Sequence, residues 1–144
     1  TKLEGEQPVA AVVDASTDVK GPRTPSEARA DEPEDAPGCW ASYSGTTAPP
    51  PNECRLGPAK GNRTIALVGD SHAQQWLPAL ARVAQTNHWT VYHYTKPTCP
   101  MTDVPIWRGD ANGRYTACDK WRGAVLERLA QIDGLDAVVV GRWE

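Results

Sequence analysis

The string Thr64-Ile-Ala-Leu-Val-Gly-Asp-Ser-His72 constrains the fold of this chain more than any other. Up to Val68 it is short, apolar and partly β-branched; at Gly69 it turns polar. A run of that length without polar alternation suits a strand covered on both faces, as in a parallel sheet. The residues after it read as a helix to about Asn87. Asp70 or Ser71 is placed to cap that helix, because a short side-chain oxygen accepts from a free N–H of the first turn. Trp76, Leu80, Val83 and Ala84 fall at helical spacing. Pro78 would remove a backbone hydrogen bond from a continuous helix. A helix that breaks and restarts at Pro78 avoids most of that cost.

The pattern then repeats. Trp89 to Thr95, with Val91, Tyr92 and Tyr94, reads as a second strand. Lys96 to Tyr115 is a long loop carrying Pro97, Pro100 and Pro105. Thr116 to Ile132 is an amphipathic helix with Trp121, Val125, Leu126, Leu129 and Ile132, and Gly134 is a natural stop after it. Asp136 to Val140 reads as a third buried strand leading into Gly141-Arg-Trp-Glu144. Strand, helix, strand, helix, strand implies an α/β fold with a parallel sheet, a flavodoxin-like arrangement of helix, sheet and helix layers. In such sheets, sites form at the carboxyl ends of the strands. Three turns point there: Gly69-Asp-Ser-His72, Lys96-Pro-Thr-Cys99 and Gly141-Arg-Trp143.

Ahead of this domain (residues 64–144) lie two other stretches. Residues 1–38 read as a disordered tether: Asp31-Glu-Pro-Glu-Asp-Ala-Pro-Gly38 is acidic and Pro-rich, and only Pro8 to Val13 offers a patch for a strand or short helix. Such a segment buries too little apolar surface to offset its ordering entropy. Residues 39–63 read as a loop-rich preface with Ala48-Pro-Pro-Pro51 at its centre. The longest apolar run is about five residues, Ala137 to Gly141, where a membrane-spanning helix needs about 20. No signal peptide is visible, and a chain that begins at Thr1 is expected to be a fragment or a processed piece. The net charge of -3 leaves no basic stripe for a nucleic-acid partner.

Cys39, Cys54, Cys99 and Cys118 are widely spaced, with no Cys-x-x-Cys pair of the kind zinc sites carry, so no metal site is expected. The even count fits two disulfides in an oxidising compartment. Sequential pairing, Cys39–Cys54 and Cys99–Cys118, is the simplest connectivity. Each bridge would close a loop of about 15–20 residues, worth roughly 3 kcal/mol in the chain-entropy model. The alternative is four buried free thiols in a cytosolic protein.

The chemistry points to Ser71. A serine at a helix N-terminus has its hydroxyl near free backbone N–H groups, and those donors with the helix dipole stabilise an oxyanion. Gly69 permits the tight turn before it. That is the setting of an activated serine nucleophile. The plainer alternative is that Asp70 and Ser71 only cap the helix.

The longer string Ile65-Ala-Leu-Val-Gly-Asp-Ser-His-Ala-Gln-Gln-Trp-Leu-Pro-Ala-Leu80 resembles the first block of SGNH hydrolases. More closely, it is similar to the SGNH domain fused behind the membrane acyltransferase-three module of bacterial O-acyltransferases. Cys54-Arg-Leu-Gly57, Lys96-Pro-Thr-Cys-Pro100 and Val138-Val-Val-Gly-Arg-Trp143 agree, and the resemblance covers about residues 39–144. It implies Ser71 as nucleophile, its own N–H as one oxyanion donor, and Gly69, Asp70 and His72 as supports. The family's second block supplies a glycine N–H, but Thr95-Lys-Pro-Thr98 has no glycine, so Thr98 takes that place. The third block normally has an asparagine where Gly141-Arg142 stands here. Arg142 is then a donor to an oxyanion or a sugar hydroxyl, or a structural ion-pair residue.

The resemblance also marks an absence. The family's base is a histidine in an Asp-x-x-His motif, which does not occur here. A flavodoxin-like sheet usually has about five strands, so the domain is expected to be truncated after the third, exposing an unpaired edge. His72 adjoins Ser71, and neighbouring helix residues do not face each other. His88 lies at the far end of the first helix. His93 is the remaining substitute, unless Tyr92-His93-Tyr94 is simply a packed strand. The fragment alone is expected to be inactive and its parent an enzyme. The implied function is transfer of an acetyl or other small acyl group, through an acyl-serine and without a cofactor, to a cell-envelope polysaccharide. The membrane module would deliver the acyl donor, a glycan would accept it, and the domain would be extracytoplasmic, in the periplasm or at the cell surface. The alternatives are a carbohydrate O-acetyl esterase and a non-catalytic remnant that binds a glycan or a partner.

Overall fold

A computed structural model of the chain describes Thr24, Ser26, residues 39–109 and residues 113–141. The tether expected at 1–38 thus lies outside the described residues apart from Thr24 and Ser26, and so does Arg142. Every element below lies within residues 33–144.

The apolar run at Thr64 forms β2 (Thr64–Gly69), the central strand of a four-stranded sheet. It pairs in parallel with β3 (Thr90–Thr95) on one side and β6 (Ala137–Gly141) on the other. A two-residue strand, β1 (Arg55–Leu56), joins the far edge of β3 antiparallel, so residues from the preface extend the same sheet. The lack of polar alternation in β2 has a direct cause. Ile65 and Leu67 face one helix layer, α1 (Ser71–Gln74) and α2 (Leu77–Asn87), where they meet Ala73, Leu77, Ala84 and Val91. Ala66 and Val68 face the other layer, α3 (Thr116–Leu129), packing with Tyr94, Trp121, Val125 and Leu129. Alternate residues of a strand point to opposite faces, and both faces here are covered. The fold is therefore α/β, with a mostly parallel sheet between two helix layers.

The first helix does break. α1 ends at Gln74 and α2 restarts at Leu77, with Pro78 in its first turn, where a missing N–H costs little. The restart rephases the buried face. Leu77 is buried in place of Trp76, which is 61% exposed against the sequence expectation. Leu126, expected on the buried stripe of the second helix, is also exposed, because Trp121, Val125 and Leu129 define that face. The loop from Lys96 to Tyr115 contains a small hairpin, β4 (Trp107–Arg108) against β5 (Gly113–Arg114). The third strand overturns one expectation, burial, and agrees with another, the unpaired edge. β6 was expected to be buried, yet Val138, Val139 and Val140 are 44%, 42% and 50% exposed. It is the sheet's edge strand, hydrogen-bonded to β2 alone among the described residues.

Two disulfides are present, Cys39–Cys54 and Cys99–Cys118, closing separations of 15 and 19 residues. The first ties residues 39–41, which run beside the end of β3, to the segment entering β1. The second ties the loop after β3 to α3.

Where β2 and β6 end, their backbones meet the start of α1. A Cβ on Gly141 would lie 2.5 Å from the Ala73 Cα and 2.7 Å from its nitrogen. These are backbone atoms that no rotamer change moves, so Gly141→Ala is expected to cost about 2 kcal/mol or more. A urea unfolding midpoint equal to that of the unsubstituted chain would contradict this packing.

Candidate active site

The site is built on the turn from β2 into α1. Gly69 has φ +144°, and a Cβ there would come within 2.1 Å of the Gly141 carbonyl oxygen. Only glycine lets the two strand ends approach this closely. Asp70 is buried and takes the capping role itself: its carboxylate accepts from the His72 N–H at 2.9 Å. The same oxygen, Oδ1, lies 3.3 Å from His72 Nδ1. With Asp70 as the cap, Ser71 stands one residue inside the helix, partly exposed, and its hydroxyl bonds to no described residue. Its N–H is among the first-turn donors that a helix leaves without an internal acceptor. Thr95 Oγ1 donates to Gln74 Oε1, which ties the end of β3 to the underside of α1.

The facing wall comes from the turn after β3. Lys96 N–H donates to the Gly69 carbonyl at 3.0 Å, and Cys99 N–H closes the turn onto the Lys96 carbonyl at 3.2 Å. Pro97 is the second residue and Thr98 the third, with φ +52°. A type II turn demands that left-handed conformation at its third position and favours glycine there. Thr98 therefore holds a glycine-like backbone in the segment where the resemblance calls for a glycine, and its N–H donates to no described group.

The sequence reading missed what fixes this wall. The Lys96 ammonium is fully buried and donates to the carbonyls of Ser42, Tyr43 (3.1 Å) and Gly45 (2.8 Å). Burial, helped by the nearby Arg108 charge, pushes its pKa down to about 8. It also lies 5.2 Å from the Tyr115 ring centroid. Arg108 stacks 4.0 Å over Tyr43 and 4.9 Å over Tyr115. A lysine next to a proline and an arginine in a Pro-containing loop carry no pattern that signals such contacts; only the fold brings residues 42–45, 96 and 108 together.

Between the two walls lies a cleft of ≈ 490 Å³ lined by Asp70, Ser71, His72, Thr98, Tyr43, Pro100 and the hairpin residues Ile106 to Gly109. The structure thus brings Asp70, Ser71, His72 and Thr98 together, with Gly69 directly behind them. The four cysteines stand outside the cleft as disulfides. Among the described residues no cluster of His, Cys, Asp and Glu could hold a metal ion, and no helix is long and apolar enough to cross a membrane.

The remaining histidines do not reach the cleft. His88 caps the far end of α2 in a left-handed conformation. His93 is fully buried on β3 opposite Leu67, so the candidate substitute base is a packed strand residue. Neither of its ring nitrogens has a hydrogen-bond partner among the described residues. Burial lowers its pKa from 6.5 to about 4. The unfolded chain therefore takes up a proton near pH 6.5 that the folded chain refuses until about pH 4. Stability falls as pH drops through that window, by about 3 kcal/mol in all. His93→Leu is expected to flatten this part of the stability–pH curve, measured by urea unfolding; an unchanged slope would contradict the assignment.

A serine on the turn after the central strand, at the carboxyl end of a mostly parallel sheet between two helix layers, fits the class of α/β domains of the SGNH type. The family model described as SGNH domain (fused to AT3 domains) matches residues 38–144, and the chain belongs to that family. No curated protein and no solved structure matches the chain.

Proposed function

We propose that this chain carries part of the acyl-transfer site of an extracytoplasmic O-acyltransferase, with Ser71 as the nucleophile. The observation that carries this reading is the position of Ser71: Asp70 does the capping, Ser71 lines the cleft, and its hydroxyl has no described partner. In the first step the Ser71 hydroxyl oxygen attacks the carbonyl carbon of an acyl donor. The tetrahedral oxyanion accepts from the N–H groups of Ser71 and Thr98. The donor's leaving group departs with the serine proton, leaving an acyl-serine. In the second step a sugar hydroxyl attacks that ester, and its proton passes through the base to the departing Ser71 oxygen, which leaves as the free hydroxyl. Loss of one oxyanion donor typically costs about 10²–10³ in rate.

The resemblance assigns the base to a histidine of an Asp-x-x-His motif that these residues do not contain, and His72 is turned toward Asp70. Fusion of this family to AT3 domains supports a membrane module as the source of the acyl group. Residues 1–38 would be the tether leading to it, and Arg142 would meet the oxyanion or the sugar. The two disulfides fit an oxidising, extracytoplasmic compartment. A polysaccharide of the cell envelope is the acceptor this setting favours. The missing base favours a second reading for this chain taken alone, a glycan-binding module without turnover.

Incubation of the chain, and of a chain extended past Glu144, with p-nitrophenyl acetate separates the two by intact mass. The extended chain is expected to gain about 42 Da as an acetyl-serine. Ser71→Ala is expected to lose that adduct and to lower acyl transfer roughly 10⁴-fold or more. An adduct that persists in Ser71→Ala would remove Ser71 from the mechanism.

A further inference from the structure

Among the described residues, the most exposed large apolar side chain sits at the cleft. Trp107 is 73% exposed and lines the same cavity as Ser71. Its exposure is enforced by its neighbours. Side chains alternate along a strand, and the residues on either side of Trp107 are both anchored. Ile106 packs against the core and its carbonyl accepts from Tyr115 N–H at 2.7 Å. Arg108 stacks on Tyr43 and Tyr115. The opposing strand is tied to α3 by Arg114 Nε, which donates to Asp119 Oδ2 at 2.9 Å. The hairpin is thus fastened on both strands, and the indole is held outward from a fixed backbone.

We propose that Trp107 is the platform on which a sugar ring of the acceptor glycan stacks while one of its hydroxyls points to Ser71. This rests on the acyl-serine reading and deepens it by assigning the acceptor side of the cleft. The two ligands that must reach Ser71 have different surfaces. An acyl chain gains most from apolar enclosure on all sides, and Trp107 offers one open face. A pyranose ring carries C–H groups on a face and hydroxyls around its rim. That matches a cavity lined by a flat indole together with the polar groups of Ser71, Thr98 and His72. A single exposed apolar residue is ordinary on a protein surface, but a tryptophan with an apolar face beside polar groups in a cleft is of the type enriched at recognition surfaces.

The test uses the chain labelled with ¹⁵N, the Trp107 indole N–H being identified by its loss in Trp107→Ala. Chitotetraose, maltotetraose and cellotetraose are titrated separately, with hexanoate as the acyl-chain rival. At least one oligosaccharide is expected to shift the Trp107 indole signal, and hexanoate is not. Trp107→Ala is expected to weaken that oligosaccharide about tenfold with unchanged thermal unfolding, while Trp107→Tyr stays within about threefold. A hexanoate shift alone, no shift with any of the three sugars, or full affinity in Trp107→Ala would overturn the platform. Acetylation of Ser71 by p-nitrophenyl acetate, read in the extended chain with Trp107 intact, tests the acyl-serine separately. An adduct without sugar binding would refute this inference alone. Sugar binding at Trp107 without an adduct would refute only the acyl-serine.

Discussion

The close approach of Gly69, Gly141 and Ala73 is the constraint on which the site depends. The ends of β2 and β6 and the first turn of α1 touch through backbone atoms, with no room for a Cβ on either glycine. That contact lets the chain turn sharply out of the sheet and start a helix at once. Asp70 then caps the helix and Ser71 is left facing outward. A bulkier residue at either glycine would push α1 off the sheet and move Ser71 with it, since interiors packed at this density do not absorb such shifts locally.

The opposite wall is held by a different kind of interaction. The loop from Lys96 to Tyr115 has little regular structure, yet it is fastened at several points. Lys96 N–H extends the ladder to Gly69, its ammonium binds three carbonyls of the 42–45 turn, and Cys99–Cys118 ties the loop to α3. A buried ammonium is tolerable only when its donors are satisfied. Here they are, and the result positions Tyr43, which in turn stacks with Arg108 and sets the hairpin. The cleft is therefore a product of one glycine contact and one buried cation.

Much of the architecture was legible in the residues. The apolar run at Thr64, the break at Pro78 and the helix at Thr116 are local signals, and they survive in β2, α1, α2 and α3. The Gly69-Asp-Ser-His72 turn was legible for the same reason: turn, cap and nucleophile candidate follow from adjacent residue types. The errors share one cause. The valines of β6 look like a buried strand, but burial depends on what packs beside them, which a local pattern does not carry. Trp76 and Leu126 were placed on buried faces because helical spacing is read without knowing where a helix restarts or which stripe its neighbours cover. Lys96, Tyr43 and Arg108 were invisible because their roles arise from contacts across more than fifty residues of chain. The left-handed backbone of Thr98 was hidden as well, since threonine gives no warning of a glycine-like turn.

The central claim is that the cleft between the Gly69–His72 turn and the Lys96–Cys99 turn holds an oxyanion formed on Ser71. A crystal structure of the chain extended past Glu144, after reaction with a small alkyl fluorophosphonate, tests it most directly. The account predicts phosphorus bonded to Ser71 Oγ, with its free oxygen about 3 Å from the backbone nitrogens of both Ser71 and Thr98. Reaction at another residue, or an oxygen turned away from those two nitrogens, would contradict it.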